Sequence, residues 1–403
     1  MPEHFCLDRH ITKGSEIGMI IVREFEQEAK ELLERVLSIP SVNHKDDEGK
    51  VAEYLQEYLT EAGIEAKVQR IDETHANLIA FIPGENHGKP TVWNGHIDTV
   101  PYGDLAEWET NPAVPTEKDG KLYARGASDM KSGIAAMAYT LATIVKSGKK
   151  PAYDITLVGT CDEEKNGLGA RELVKAGLLP DVEEVLIGEP TGLNIGIAQK
   201  GCLWLEFEVF GKTSHGAYPE QGVNAVDYSV QIADQLKAFV IKSSHPVLGN
   251  ATAQITQITG GVAPNMTPDR CTVLMDMRLV PGQTKEMVIG KLEEIAEVYA
   301  SETEGKIRVE RHVKNDRIAV STEPEDAFTQ KLKKNIENNG VSPQNIGINY
   351  FTDGSIMLQA NPKMKVLLFG AGEADLCHKA NEYVYLDKYY KSIEILTAYA
   401  LDK

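Results

Sequence analysis

The 403-residue sequence has few cysteines and no CxxC pair. The cysteines are odd in number and scattered along the chain, at Cys6, Cys161, Cys202, Cys271 and Cys377. A secreted disulfide framework needs paired cysteines, whereas single, widely spaced thiols suit a reducing compartment. We therefore expect a cytoplasmic protein.

Long hydrophobic runs are also missing. The apolar run at residues 17–22 is far shorter than the roughly 20 residues that a membrane-spanning helix needs. The first 18 residues do not have the layout of a signal peptide. Residues 1–22 show no periodic pattern and are predicted to form a loose extension, in which Met19 is a candidate natural start. We expect no membrane partner.

Basic charge is scarce. Lysine and arginine number 42 against 60 aspartates and glutamates, which gives a net charge of −18. Binding to a phosphate backbone needs basic surface, so a nucleic-acid partner is disfavoured. The apolar fraction of 42% and the charged fraction of 25% are ordinary for a soluble globular protein. The length suggests about two or three domains.

From residue 25 onward, apolar residues recur with the period of a helix in some segments and with the pattern of a strand in others. Helices are predicted at 25–39, 51–62 and 132–147, and strands at 66–70, 77–82, 91–94 and 155–161. Such alternation is typical of an α/β domain in which helices flank a mixed, mostly parallel sheet. Functional residues should then lie beyond the carboxyl ends of the strands.

The middle of the chain has a different pattern. Strands are predicted at 203–210, 251–259, 271–280 and 306–312, with helices at 223–240 and 285–302. This β-α-β-β-α-β order is that of a ferredoxin-like α+β domain. We predict an inserted lid domain at residues 199–312, which divides a catalytic domain into residues 1–198 and 313–403.

Two polar residues lie beside a predicted buried strand near residue 95. His96 ends the strand, where a polar group without a partner is costly, and Asp98 lies on the same side of the extended segment. A metal bound to His96, with Asp98 holding the other ring nitrogen, would explain the pair. Asp129 opens the next helix and could offer its two oxygens to two metals. The alternatives are a hydrogen-bonded core histidine and a helix-capping aspartate.

Further metal-binding residue types follow other predicted strands. The acidic run 162–164 follows one strand, Glu189 follows residues 185–187, and His378 lies in the loop after residues 366–369. Neighbouring carboxylates repel one another unless cations gather there, although a solvated acidic turn is the alternative. One two-metal site with oxygen and imidazole ligands accounts for five residues together: His96, Asp129, Glu164, Glu189 and His378.

Six segments, in this order and spacing, resemble the di-zinc amidohydrolases that include acetylornithine deacetylase, succinyl-diaminopimelate desuccinylase, aminoacylase and carboxypeptidase G. They are GHIDTVP from residue 95, GASDMKSG from 126, DEEKNGLGA from 162, GEPT from 188, GKTSHGAYPEQGVNA from 211 and GAGEADLCHKANE from 370. Two positions depart from the family pattern. Ala371 stands where proline is frequent, and Asn381 stands where an acid is common.

The resemblance implies a ligand set and a general base. It implies His96 and Glu189 on one zinc, Glu164 and His378 on the other, and Asp129 between them. It further implies Glu163 as the base and Asp98 as the residue that orients His96. Cobalt or manganese could also occupy such a ligand set.

The resemblance also implies roles in the lid. His215 and Asn265 would act on the scissile carbonyl and Arg278 on the substrate carboxylate, in a homodimer formed through the lid in which His215 reaches the metals of the neighbouring subunit. The alternative for Arg278 is a structural pair with Asp276. Candidates for a polar wall are Thr352 and Gly354, although their segment is also an ordinary turn.

These features predict a hydrolase that cleaves the amide bond of a small N-acyl amino acid. A di- or tripeptidase, or a carboxypeptidase, of the same family is the alternative, because it would share every ligand. A non-catalytic metal-binding protein is disfavoured, since storage needs no free base such as Glu163 beside the metals.

Overall fold

The computed structural model describes residues 16–403. The helices are α1 Glu16–Ser38, α2 Gly49–Glu61, α3 Lys131–Lys146, α4 Leu168–Lys175, α5 Ala225–Val240, α6 Lys285–Glu302, α7 Ala327–Asn338, α8 Gly354–Met357 and α9 Leu386–Leu401. The strands are β1 Glu65–Arg70, β2 Ala76–Ile82, β3 Asn86–His96, β4 Thr116–Lys118, β5 Lys121–Tyr123, β6 Tyr153–Thr160, β7 Glu184–Ile187, β8 Ile195–Gln199, β9 Cys202–Phe210, β10 Ser244–His245, β11 Gly249–Asn250, β12 Thr252–Gly260, β13 Arg270–Arg278, β14 Arg308–Arg317, β15 Val320–Ser321, β16 Asn345–Ile348, β17 Lys365–Leu368 and β18 Tyr383–Tyr385.

The first helix begins earlier than its sequence pattern indicates. Helix α1 starts at Glu16, so residues 16–22, which were expected to belong to a loose extension, are helical. The run 17–22 contains no polar residue, and a helical period can be recognised only where apolar and polar residues alternate. The rest of the predicted extension, residues 1–15 with Cys6, lies outside the described residues.

The described chain divides into two compact units. The first comprises the chain up to Ile197, Thr322–Asn345 and Ile356–Lys403, and the second comprises Ala198–Ser321 and Ile346–Ser355. The second unit thus extends past residue 312, where the sequence placed the end of the lid. The reason is that β14 continues to Arg317 and pairs with β9 up to that residue, with one bulge at Lys314.

The first unit is built on a large mixed sheet, in which the strands follow the order β1-β2-β6-β3-β7-β17-β8. The central strands β6, β3, β7 and β17 are parallel neighbours, and β1 and β2 add an antiparallel edge. Parallel strands covered on both faces are apolar throughout, and in β3 both Val92 and Trp93 are buried. The predicted α/β class with a mainly parallel sheet is confirmed.

Helix α3 is buried on nearly all sides. Residues 131–142 are all buried, and small side chains dominate the helix. A helix that is apolar all round belongs in a protein interior. Helices α1 and α9 pack against it, and the Tyr389 hydroxyl of α9 donates to the Ala29 carbonyl of α1 at 3.0 Å. This packing fixes the start of α3, which lies two residues after Asp129.

The second unit contains the four-stranded antiparallel sheet β12-β13-β9-β14. The order β9-α5-β12-β13-α6-β14 is that of ferredoxin-like domains. Strand β9 alternates as half-buried strands do, and Leu203, Leu205, Phe207 and Val209 lie in one core with residues of α5 and α6. Within residues 16–403, no helix has the length and apolarity needed to cross a membrane.

Candidate metal centre

His96 is the last residue of β3 and is 1% exposed. Its Nε2 atom lies 3.1 Å from Oδ1 of Asp129. Its Nδ1 atom lies 3.0 Å from the backbone carbonyl oxygen of Asp98 and 3.5 Å from Oδ1 of the same residue. The buried ring therefore has an oxygen partner for each nitrogen, and Asp98 contacts it chiefly through its main chain.

Asp129 lies between two imidazoles. While Oδ1 faces His96, Oδ2 lies 3.4 Å from Nε2 of His378. Burial opposes ionisation of this carboxyl, but the hydrogen bonds from His378 and His96 outweigh it and lower the pKa of Asp129. A carboxylate that offers one oxygen to each side has the geometry of a bridging ligand.

Glu164 and His378 form the second half of the cluster. Oε2 of Glu164 lies 2.9 Å from Nε2 of His378. Hydrogen bonds to Asp129 and Glu164 raise the pKa of His378 from 6.5 to about 10. Burial, followed by the negative charge of Asp129, raises the pKa of Glu164. Each of these shifts shows that anionic oxygens crowd this point and favour a cation among them.

The side chains form two groups that share one member. One is His96, Asp129 and Glu189, and the other is Asp129, Glu164 and His378. In each group the potential ligand atoms all lie within 4.8 Å of one another. Imidazole nitrogen and carboxylate oxygen are the donors that zinc and its first-row neighbours bind. All five ligands predicted from the sequence are thus brought together, and their donor set fits a pair of divalent ions.

The acidic loop that carries Glu163 and Glu164 is held by Asp98. The Asp98 carboxylate is 0% exposed, and it accepts the backbone amides of Glu163 and Glu164, each at 3.2 Å. It also accepts from Nδ2 of Asn43 at 2.7 Å. Glu163 itself is 7% exposed and belongs to neither ligand group. Asp98 therefore places the proposed base and a ligand side by side.

Glycines allow three ligand-bearing segments to approach through their backbones. A Cβ atom on Gly133 would lie 2.0 Å from the carbonyl oxygen of Gly188, one residue before Glu189. On Gly372 it would lie 2.3 Å from the carbonyl oxygen of Ser128, one residue before Asp129. Only glycine permits contacts this short, so these two positions bring the loops together.

Sequence reasoning missed the buried carboxylate of Glu382, which is the last residue of the GAGEADLCHKANE segment. This carboxylate accepts the backbone amides of Gly126, Ser128 and Asp129 and pairs with Arg125. The only sequence signal was its place four residues after His378. Its partners lie more than 250 residues away in the chain, where no local pattern can identify them.

A second missed carboxylate is Glu48, which is 0% exposed. Oε2 accepts the backbone amide of Asp162 at 2.8 Å, and Oε1 accepts from Asn43 at 2.8 Å. Asn43 thereby links Glu48 to Asp98. Glu48 lies in an acidic stretch before α2 that resembles a solvated surface turn, so no local pattern distinguishes it from its acidic neighbours.

Asparagine suits position 381, although an acid is common there in the family. Its φ angle is 59°, a conformation that asparagine adopts more readily than most residues. Its side chain accepts the amide of Glu109 at 2.7 Å and donates to the carbonyl of Glu107 at 2.9 Å. The residue therefore anchors the loop beside His378.

The remaining predicted residues lie in the second unit. His215 pairs with Met266 in an isolated bridge, and the Asn265 carbonyl accepts the Gly216 amide at 2.7 Å, so the His215 and Asn265 loops are adjacent. Arg278 makes the pair with Asp276 that the sequence also allowed, with Nε to Oδ1 at 2.9 Å and Nη2 to Oδ2 at 3.1 Å.

The segment of Thr352 and Gly354 has the contacts of a turn. Thr352 is 0% exposed, and its hydroxyl donates to Oε1 of Gln199 at 2.7 Å. The same hydroxyl oxygen accepts the Gly354 amide at 3.2 Å. These contacts are those of a turn, and the polar wall stays a prediction.

Comparisons with known proteins find relatives that match most of the chain. The chain is 28% identical over 402 residues to a probable succinyl-diaminopimelate desuccinylase of Staphylococcus epidermidis, covering 92% of this chain and 96% of the relative. It is 33% identical over 346 residues to an acetylornithine deacetylase of Myxococcus xanthus, covering 82% and 86%. An aminopeptidase of Bacillus cereus has a similar fold, with a TM-score of 0.74 at 20% identity and coverage of 93% and 98%. The model of peptidase family M20/M25/M40 matches residues 92–402, and the chain therefore belongs to this family of hydrolases, which are enzymes that act on amide bonds.

Proposed function

We propose that the chain is a metal-dependent hydrolase that cleaves the amide bond of a small N-acyl amino acid. The observation that carries this proposal is the position of Asp129, whose two oxygens face His96 and His378. The two relatives, a probable desuccinylase and a deacetylase, support an N-acyl amino acid as the substrate class.

Two ions fit the proposed centre. His96 and Glu189 would hold one, Glu164 and His378 the other, and Asp129 both. Zinc suits this mixture of imidazole and carboxylate ligands, and cobalt or manganese could replace it. When bound, the ions would supply Lewis acidity toward the substrate carbonyl and lower the pKa of the attacking water.

Glu163 acts as the general base in this proposal. Its carboxyl takes a proton from the attacking water and later delivers it to the leaving amine, which releases a carboxylic acid and an amino acid. Two observations support the assignment. Asp98 fixes the Glu163 amide, and the next residue, Glu164, belongs to a ligand group. A base next to a ligand residue in the chain has its backbone held close to the proposed metal site.

Residues of the second unit contact the substrate. His215 and Asn265 donate to the oxygen of the scissile carbonyl as negative charge develops there. Arg278 binds the substrate carboxylate through its guanidinium fork. The pair with Asp276 supports this role, because it holds the Arg278 side chain in one orientation.

We further propose a cytoplasmic homodimer that forms through the second unit. Strand β12 supports this arrangement, because it lies at the edge of its sheet and exposes Ile255 and Ile258 at 38% and 46%. An exposed apolar edge strand is a ready site for pairing with another chain. In such a dimer, we propose, His215 acts at the metals of the partner subunit. Free thiols at Cys161, Cys202, Cys271 and Cys377 suit a reducing compartment.

A hydrolysis assay with matched substrates tests the proposal. Purified protein would be given N-acetyl and N-succinyl amino acids beside dipeptides and tripeptides built from the same amino acids. We expect faster release of the amino acid from the N-acyl substrates, and loss of that release after chelation. Faster cleavage of the peptides would instead support the peptidase alternative. Full activity at a confirmed metal content near zero would overturn the metal-dependent mechanism, and no turnover at all would favour a non-catalytic protein.

A further inference from the structure

Glu382 is a buried carboxylate that belongs to neither ligand group. Its side chain is 0% exposed, and each of its oxygens has two donors. Oε2 accepts from Nη1 of Arg125 at 2.7 Å and from the Gly126 amide at 3.1 Å. Oε1 accepts the amides of Ser128 and Asp129 at 2.8 and 2.9 Å. A carboxylate whose two oxygens each accept two hydrogen bonds is held rigidly. Hydrogen bonds to an ionised group are also stronger than those between neutral groups.

These contacts act directly on Asp129. Glu382 binds the Asp129 amide, so the main chain of that residue cannot move without breaking a buried hydrogen bond. With the amide satisfied by Glu382, both side-chain oxygens are left to face His96 and His378. A buried amide without an acceptor is costly, so this arrangement is strongly preferred over a displaced loop.

Arg125 extends the same restraint to two other segments. Its side chain is 3% exposed, and its Nη1 atom also donates to the Lys379 carbonyl at 3.0 Å. Its Nη2 atom donates to the Pro101 carbonyl at 3.2 Å. Lys379 follows His378 directly, and Pro101 lies five residues after His96. Glu382 and Arg125 therefore link the segments that carry three of the five proposed ligands.

We propose that Glu382 is a positioning residue that holds Asp129 between the two metal sites and so sets the affinity of both. This inference rests on the proposed metal centre. Because Asp129 belongs to both ligand groups, a displaced Asp129 weakens the two sites together. Residues that orient metal ligands typically change affinity by roughly 10- to 100-fold when they are replaced.

Metal titration of the apo protein tests this role without measuring turnover. Wild type, Glu382→Gln and Glu382→Asp would each be stripped with a chelator and titrated with Co²⁺, with calorimetry and the visible spectrum as readouts. Glutamine retains the size of the side chain but replaces one acceptor oxygen with an NH₂ group, which is a donor. Aspartate retains the charge but is too short to reach every donor. We expect weaker Co²⁺ binding at both sites, by roughly 10- to 100-fold for Glu382→Gln, with an altered spectrum.

Asp154→Asn is the matched control. Asp154 is also a buried carboxylate that accepts a backbone amide, that of Gly84 at 2.7 Å, but it lies at the opposite end of β6 from the acidic loop. This control should lose stability and keep wild-type Co²⁺ affinity.

Wild-type affinities and spectrum in Glu382→Gln, with only a loss of stability, would overturn the inference. If Glu382→Gln does not fold, the same result in Glu382→Asp would overturn it. Failure of wild type to bind Co²⁺ would instead refute the proposed metal centre itself.

Discussion

The carboxylate of Asp98 accepts the backbone amide of Glu163, with 3.2 Å between nitrogen and Oδ1. The other oxygen of Asp98 accepts the amide of Glu164 at the same distance. One buried carboxylate therefore orients two consecutive residues, one proposed as the base and the other as a ligand. Oδ1 of Asp98 also lies 3.5 Å from Nδ1 of His96, so the same carboxylate contacts both the loop and the histidine.

Asp98→Asn should destabilise this loop. Asparagine turns an NH₂ group toward one of the two amide donors, and a buried donor without an acceptor costs about 1–3 kcal/mol. We expect a lower free energy of unfolding by about that amount in urea and a lower kcat. Asp104→Asn is the control, because Asp104 also accepts a backbone amide but is exposed. Equal effects of the two substitutions would contradict the role of Asp98.

Glu163→Gln and Glu164→Gln should separate catalysis from metal binding. Glu163 lies outside both ligand groups, so its substitution should leave the metal content unchanged and lower kcat by roughly a hundredfold or more. Glu164→Gln should lower the metal content, because it removes a ligand. Metal analysis together with steady-state kinetics gives the answer. The opposite pattern would mean that the two roles are exchanged.

The buried Glu48 should make stability depend on pH. Burial and the charge of Asp98 raise the pKa of Glu48 from 4.5 to about 8. Between these values the folded protein keeps a proton that the unfolded chain has released, so this group lowers stability as pH rises through the window. Glu48→Gln cannot titrate, and its stability relative to wild type should therefore rise from about pH 5 to pH 9. Urea unfolding of the apo proteins across this range measures the difference, and a constant difference would refute the prediction.

Mixing two inactive variants should restore activity if His215 acts in the partner subunit. Glu163→Ala and His215→Ala would be dissociated, combined in equal amounts and reassociated. Random pairing makes about half of the dimers mixed, and each mixed dimer has one complete site of two, which gives about a quarter of wild-type activity. A mixture of Glu163→Ala with Glu164→Ala is the control, because both defects lie in the same unit of each chain, and it should stay inactive. Confirmed heterodimers of the first pair without activity would exclude action across the dimer.

Four of the five proposed ligands could be predicted because they lie at the end of an apolar run that forms a strand, or in the loop beyond it. His96 ends β3, the acidic loop follows β6, and Glu189 lies two residues after β7. Parallel strands bring their carboxyl ends to one edge of the sheet, so local patterns were enough to bring these residues together.

Long-range contacts to backbone amides could not be predicted in the same way. Glu382 binds the amides of Gly126, Ser128 and Asp129, and Glu48 binds the amide of Asp162. A backbone amide is present whatever the side chain, so the residue types do not identify these partners. The helical start at Glu16 was missed for another reason, because a wholly apolar run has no periodicity to detect. The pair of Arg278 with Asp276 was foreseen as an alternative, since two residues two apart on a strand lie on the same face.

The close approach of Gly133 to Gly188 limits which positions of this protein can be mutated. Because the ligand-bearing loops meet through their main chains, even an alanine at Gly133 or Gly372 would push them apart. Libraries that seek new substrates should therefore keep these glycines invariant. Mutational drift at these two positions is limited chiefly by the main chain of the opposite segment.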